Sequence, residues 1–291
     1  MRIFLTGATG YIGHHVATAL LTAGHRVVGL ARSADAATTL AHQRAEICLG
    51  SLENLPLLVE QSEMADGVVH TAFRHGPDGA VTDGTAVAVM LAALAGSAKP
   101  FIYTSGIWSL GDTAGRVADE TTPLNPLPSV CWRTGVEHLV LNAARQAIRT
   151  AVIRPAVAYG CHGGIVETMI RAAMRFGVTG CVGDGINCWQ LVHVADLGDL
   201  YRRAVESAPA GTVFYGSAGD PVPLVELAAA ISRASGCLGP ITRWSVDEAR
   251  LHVGDAAEAL LLDQRVSSVR AAMVLGWKPT MPSVLEYLKQ L

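Results

Sequence analysis

The apolar positions of this chain fall into short runs separated by longer amphipathic stretches. Apolar runs stand at 2–6, 26–30, 67–72, 100–104, 150–154 and 190–194. Between them, helical spacing of apolar residues marks segments near 14–23, 34–42, 54–63, 80–96, 133–147, 166–177 and 196–207. Strand and helix therefore alternate. That alternation predicts an α/β fold: a doubly wound parallel sheet with helices on both faces. Ligands of such sheets sit beyond the carboxyl ends of the strands. From about residue 216 the pattern changes. A helical stretch at 222–235, polar breaks and a last helix near 281–290 predict a smaller C-terminal lobe packed on the main domain. Leu224, Leu227, Ile231 and Leu260 read as core positions of that lobe. The expected division is a first domain over 1–160, with 188–216 returning to it, and a substrate lobe from 161–187 and 217–291.

The joint between the first strand and the first helix carries specific chemistry. Residues 2–6 run into Gly7, Gly10 and Gly13, and an amphipathic stretch His14–Ala23 follows, ending at Gly24. Strand, Gly-x-x-Gly-x-x-Gly turn and helix form a receptor for a dinucleotide pyrophosphate. Gly7 permits the tight turn, Gly10 lets phosphate reach the backbone, and Gly13 lets helix pack on strand. The helix N-terminus adds free N–H groups and a positive dipole. A second strand, Arg26–Leu30, follows as that unit requires.

Composition narrows the remaining classes. With 291 residues, half of them apolar, the chain buries a large core. No stretch of eighteen lacks polar breaks, so no membrane span is expected. The first strand starts at residue 2, which leaves no room for a signal peptide and favours a cytoplasmic protein. Net charge is −3 with no basic run, so nucleic acid is not an expected partner. The expected partners are a small-molecule substrate and at most a second copy, as a homodimer. Six cysteines, at 48, 131, 161, 181, 188 and 237, show no C-x-x-C spacing and read as reduced thiols. Cys181, Cys188 and His193 could suggest a metal site, but buried apolar thiols fit the pattern better, so no metal is expected.

Several further motifs stand in a telling order. They are Thr6–Gly13, His70-Thr-Ala72, Tyr103-Thr-Ser-Gly with Gly111, Arg154-Pro-Ala-Val-Ala-Tyr-Gly160, Leu191-Val-His-Val-Ala-Asp196 and Leu275-Gly-Trp-Lys-Pro279. Their order and spacing resemble the extended short-chain dehydrogenase/reductases, in the NAD-dependent epimerase/dehydratase group. The resemblance implies a seven-stranded Rossmann-type domain and a smaller C-terminal substrate lobe. It places the cofactor on Gly7, Thr9, Gly10, Tyr11, Ile12 and Gly13. It adds Arg32 and Ser33 after the second strand, then Ser51 and Leu52, then Thr71, Ala72 and Phe73. Arg133, Pro155, Ala156 and Val157 complete the set.

The chain departs from the family at its chemistry. The family catalyses with a Tyr-x-x-x-Lys pair, in which Tyr is the acid/base and Lys lowers its pKa and holds the ribose. No such pair occurs in this sequence. Aligning the glutamate that follows that pair with Glu137 puts Arg133 at the Lys position and Ser129 at the Tyr position. The family serine aligns with Gly106, leaving Ser105 one residue early. No Asn lies between Asn54 and Asn125 to serve as the family's structural Asn. Arginine keeps the positive charge and can grip a ribose hydroxyl or phosphate, but it does not deprotonate. Serine is a far poorer acid than tyrosine. Other proton carriers near the expected cleft are Tyr103, Cys131, Tyr159, His162 and His193. Tyr103 is expected to point into the sheet, and Tyr159 and His193 match positions that are structural in the family. The catalytic set to test is therefore Ser105, Ser129, Cys131, Arg133 and His162.

Coenzyme choice rests on the end of the second strand. Ala31 stands where an NAD enzyme of the family places an acid, and Arg32 follows, suited to a 2′-phosphate. NADP is expected over NAD. Residues 161–190 are mostly apolar, which favours a small neutral or apolar substrate. The expected function is an NADP-dependent oxidoreductase moving hydride to or from a carbonyl, imine or activated alkene. An iminium arrives protonated and would need no acid. The alternatives are a redox-neutral isomerase, cyclase or lyase, and an inert dinucleotide sensor.

Overall fold

A computed structural model describes residues 1–237, 239–253 and 256–291. In chain order the first half runs β1 (Arg2–Thr6), α1 (Tyr11–Thr22), β2 (Arg26–Ala31), α2 (Ala34–His42), β3 (Glu46–Leu49), α3 (Leu55–Met64) and β4 (Gly67–His70). Next come α4 (Gly79–Leu94), β5 (Pro100–Thr104), β6 (Val117–Ala118), α5 (Trp132–Ala143), β7 (Arg149–Pro155), β8 (Val157–Tyr159) and α6 (Gly164–Phe176). The second half continues with β9 (Gly180–Val182), β10 (Cys188–His193), α7 (Val194–Ser207), β11 (Thr212–Gly216), β12 (Ala218–Pro223) and α8 (Leu224–Ala234). It ends with β13 (Thr242–Trp244), α9 (Val246–Val253), α10 (Ala256–Ala259), β14 (Arg265–Val266), α11 (Val269–Leu275) and α12 (Val284–Lys289).

Seven strands form the central sheet in the order β11-β7-β5-β4-β1-β2-β3. All of its neighbouring pairs are parallel. Strand side chains alternate between the two faces. Ile3 and Leu5 of β1 join a core with Val16 and Leu20 of α1 and Leu197 and Tyr201 of α7. Phe4 points the other way, into a core with Leu58 of α3, Met90 of α4 and Val140 of α5. The sheet is therefore covered on both faces, as the alternation of elements predicts. Strand order reverses between β1 and β4, so a crevice opens above their carboxyl ends. No helix among the described residues is long and apolar enough to cross a membrane.

One expected strand sits elsewhere. The run at 190–194 is β10, and it belongs to a separate three-stranded sheet, between β8 and β12. It pairs parallel to β8 and antiparallel to β12. The central sheet instead takes β3 and β11 as its two edges. This second sheet and α6, α8 and α12 share a core that includes Ile170, Leu227, Ile231 and Leu288. Leu224, Leu227 and Ile231 are buried there, and Leu260 packs against it half-buried. Boundaries also shift by small amounts. The first helix begins at Tyr11, the fourth strand stops at His70, and α5 ends at Ala143 before a one-turn 3-10 helix, Ala144–Gln146.

Candidate active site

The crevice begins at the glycine turn. Gly7 has φ +75°, and a Cβ there would lie 2.5 Å from the Ala72 backbone nitrogen, so both conformation and space exclude a side chain. A Cβ on Gly13 would overlap the Gly7 carbonyl and crowd Thr71, which keeps α1 tight against β1. Gly10 differs. It is the N-cap of α1, and a Cβ there would meet only the Gly7 carbonyl oxygen, at 3.2 Å. Space in front of the helix N-terminus is thus open, with the unpaired N–H groups of the first turn facing it. This cradle fits a pyrophosphate.

Two adjoining cavities continue from it. The first, of about 590 Å³, is lined by Gly7, Thr9, Gly10, Arg32, Ser51, Leu52, Thr71, Ala72 and Phe73, with Leu30, Gly50, Glu53, Arg74 and His75. The second, of about 480 Å³, is lined by Tyr11, Ile12, Phe73, Ser105, Ser129, Arg133, Pro155, Ala156 and Val157, with Trp108, Trp132, His75 and other residues. Phe73 and His75 border both. Fifteen of the seventeen expected cofactor residues therefore line one or other of these two adjoining cavities. Gly13 lies beneath them as packing. Ser33 lines neither; its hydroxyl caps α2 by accepting from the Ala36 N–H at 3.2 Å.

Arg32 is exposed on the rim of the first cavity and has no ion pair among the described residues. Arg74, on the same wall, is engaged: it donates to Glu53 at 2.6 Å. Hydrogen bonding from Ser51, then from its own backbone and Arg74, holds the Glu53 carboxyl below the usual range.

In the second cavity Arg133 is fixed by its surroundings. It donates to the Thr104 carbonyl at 3.2 Å, and its guanidinium lies 4.4 Å from the Trp132 ring centre and 5.0 Å from that of Phe73. Ser129 lines the same chamber and has no side-chain hydrogen bond among the described residues. Ser105 is tied down. It donates to the carboxylate of buried Glu137, which is ion-paired with Arg154 at 2.5 Å. Arg154 also donates to Tyr215 at 3.1 Å. Ser109 stands 3.2 Å from Ser105, and because Ser105 gives its proton to Glu137, Ser109 is the donor in that contact. Ser105 therefore offers the chamber a lone pair rather than a proton.

Two expected proton carriers stand outside the groove. His162 is exposed at φ +57° in a loop where Gly160, Cys161 and Gly164 are also left-handed. That winding presents backbone to the site: Tyr11 donates to the Gly160 carbonyl at 2.8 Å and its ring packs on Gly163. Cys131 is exposed at the end of a one-turn 3-10 helix, Pro128–Val130, with its thiol on the Pro128 carbonyl. Neither lines the second cavity. Tyr103, Tyr159 and His193 are buried. Tyr103 donates to Asp83, Tyr159 to the Pro282 carbonyl, and His193 accepts from the Ala195 N–H. Burial pushes both tyrosines up and His193 down.

Among the groove residues that sequence reasoning missed, Glu53, Arg74, His75, Trp108, Ser109 and Trp132 carry polar or aromatic side chains. His75 is the imidazole that borders both cavities. Its position five residues after the β4 end was the available signal. In the sequence Glu137 is only an alignment mark; its hydrogen bond from Ser105 spans 32 positions and has no local signature.

The NAD dependent epimerase/dehydratase family model matches residues 3–215. The chain is 33% identical over 286 residues to an uncharacterized Schizosaccharomyces pombe protein, covering 96% of this chain and 95% of that one. It is 27% identical over 289 residues to a 4-hydroxy-2-methyl-3-oxo-4-farnesyl-3,4-dihydroquinoline-1-oxide ketoreductase of Stigmatella aurantiaca, covering 94% and 86%. Its fold is that of the UDP-glucose 4-epimerase of Thermotoga maritima, at TM-score 0.82 and 21% identity over 99% and 96% of the two chains. The glycine cradle, the crevice at the strand-order reversal and a family match over most of the length agree. This chain belongs to the NAD dependent epimerase/dehydratase family and is an enzyme of the extended short-chain dehydrogenase/reductase type.

Proposed function

We propose that this enzyme is an NADP-dependent oxidoreductase acting on a small neutral or apolar carbonyl, imine or activated alkene. One observation carries the reading. A single groove joins a phosphate cradle and a free arginine at one end to an apolar chamber holding Ser105 and Arg133 at the other. Ala31 and Arg32 support NADP over NAD, because no acid stands at the end of β2 to bind a 2′-hydroxyl or repel a 2′-phosphate. The bound coenzyme would supply or take up hydride. Similarity to a ketoreductase supports hydride chemistry.

Each residue then has a role. Gly10 and the α1 N-terminus receive the pyrophosphate. Arg133 replaces the family's lysine as a fixed cation that clamps the coenzyme. Ser129 is not the proton donor. Ser105 accepts a hydrogen bond from the reacting group, which suits an alcohol O–H or an iminium N–H. In reduction, hydride adds to carbon and the π pair moves to oxygen or nitrogen. An iminium is then already complete as an amine. A carbonyl oxygen needs one proton, and His75, which borders both cavities, carries it in from water at the rim as general acid. The lobe built on the β8-β10-β12 sheet with α6, α8 and α12 closes the substrate side.

Turnover of NADPH against a panel of ketones, cyclic imines and conjugated enones tests the proposal. Substrate-dependent loss of absorbance at the reduced nicotinamide band is expected for at least one class. No oxidation across the panel, with a sugar nucleotide epimerised instead, overturns it.

A further inference from the structure

The second cavity is walled by rings. Trp132 opens α5 and Phe73 follows β4; the two rings stack with centres 5.2 Å apart and planes 13° apart. Arg133 packs against both, which fixes the pair without any ligand. His75 meets Phe73 edge-on, with centres 5.0 Å apart. Trp108, on a one-turn 3-10 helix, Ile107–Leu110, lines the same chamber from a different element. Aromatic residues make up only 5% of the chain, so this grouping is not a sample of its average surface. Phe73, Trp108 and Trp132 are also only half-buried, leaving ring surface open to the cavity.

The polar inventory points the same way. The described residues lining this chamber include no Asp, Glu, Lys, Asn or Gln, and Arg133 is their one permanent cation. A sugar carries hydroxyls on several faces, and each needs a partner when it leaves water. A nucleoside diphosphate needs more than one cation or an amide cradle. The chamber's polar side chains are Tyr11, His75, Ser105, Ser109, Ser129 and Arg133, and the Tyr11, Ser105 and Ser109 hydroxyls already donate within the protein, so few free donors face a sugar and one cation faces a diphosphate. Ring faces and aliphatic side chains instead suit a flat, polarisable surface.

We infer that the substrate is a planar conjugated ring compound that stacks on the Phe73–Trp132 wall, with Trp108 as a second ring contact. The inference rests on the groove's being the hydride-transfer site, and it names the substrate class for that site. Stacking adds to the hydrophobic gain of a matched puckered ring, so the preference is for flatness and not merely for apolarity.

The test uses two unreactive probes of one carbon skeleton, 2-naphthol and trans-2-decalol, titrated calorimetrically into enzyme saturated with NADPH. With the coenzyme already reduced, neither alcohol can be oxidised. Two ring–ring contacts should make 2-naphthol bind about tenfold tighter or more. Trp132→Leu and Trp108→Leu, each checked for folding by circular dichroism, should reduce that preference to about threefold or less. If one variant fails to fold, the other carries the test. A wild-type ratio below tenfold, or a preference unchanged in the folded variants, overturns the inference. Loss of hydride transfer on every substrate, with the flat-ring preference intact, would overturn only the oxidoreductase reading.

Discussion

Arg32→Ala is the substitution that reads coenzyme choice most directly. Arg32 follows β2, lines the first cavity and is exposed, and it has no ion pair among the described residues. Its removal therefore breaks no internal salt bridge, and any lost affinity belongs to the ligand. A charge-assisted hydrogen bond contributes about 1.5–3 kcal/mol. Exposure puts Arg32 at the lower end, about 1.5 kcal/mol, or roughly tenfold in Kd. Arg74 on the same wall is already paired with Glu53 at 2.6 Å, so it is poorly placed to compensate. NADPH should bind Arg32→Ala about tenfold more weakly, while NADH changes less than about twofold. Fluorescence titration of both coenzymes at two ionic strengths measures this. The NADPH advantage of the wild type should shrink at high salt, because exposed charges are screened over about 10 Å at 0.1 M. Arg32→Asp supplies the converse: a carboxylate on the cavity rim should further weaken NADPH and tighten NADH. Equal losses for both coenzymes in Arg32→Ala would show that Arg32 does not read a 2′-phosphate.

Gly10→Val should abolish binding of either coenzyme while the protein keeps its circular dichroism spectrum, since the added side chain projects into open cradle; unchanged affinity removes the phosphate role of this turn. Ser129→Ala should slow turnover less than about tenfold, under about 1.4 kcal/mol of barrier, while Arg133→Ala should weaken coenzyme binding with little change in kcat at saturation. If Ser129→Ala abolishes turnover with coenzyme still bound, the serine is the acid. His75→Ala should lower kcat on a carbonyl about a hundredfold, at the low end for general acid catalysis, and spare a preformed iminium; no loss on the carbonyl refutes that role.

Elements written in local pattern were legible. The β1–α1 joint was, because an apolar run, three spaced glycines and an amphipathic stretch are all contiguous. Five strands of the central sheet were legible for the same reason. The edges were not. β3 offers only the short apolar run Ile47-Cys48-Leu49, of which Cys48 alone is buried, so it carries a weaker mark than the inner strands. β10 was legible as a strand but not in its sheet. Its neighbour is decided by β8, which leaves the central sheet directly after β7 ends at Pro155, and by β12, which pairs with it across a bulge. Those are long-range facts with no local signature.

The groove divides along the same line. Its coenzyme side is built from strand ends and backbone, where sequence position and spatial position nearly coincide, and fifteen of its expected residues meet there. The chemistry side is built from side chains far apart in sequence. Phe73 stacks on Trp132, and Ser105 donates a hydrogen bond to Glu137, itself held by Arg154. His162 and Cys131 have suitable chemistry but do not line the second cavity; His162 stands in left-handed backbone and Cys131 at the end of a short helical turn. Once they are removed, the groups with a transferable proton bordering the second cavity are few. Ser105 is committed to Glu137, Ser109 donates to Ser105, and Tyr11 donates to Gly160, with burial pushing its pKa up. Ser129 and His75 remain, and of these two side-chain types imidazole is the commoner general acid. A site arranged in this way suits a substrate whose electron pair is already stabilised by conjugation, or one that carries its own proton. The absence of a Tyr-x-x-x-Lys spacing from the sequence is coherent with the proposed flat-ring substrate, which would ask less of the protein as an acid and more of it as a surface.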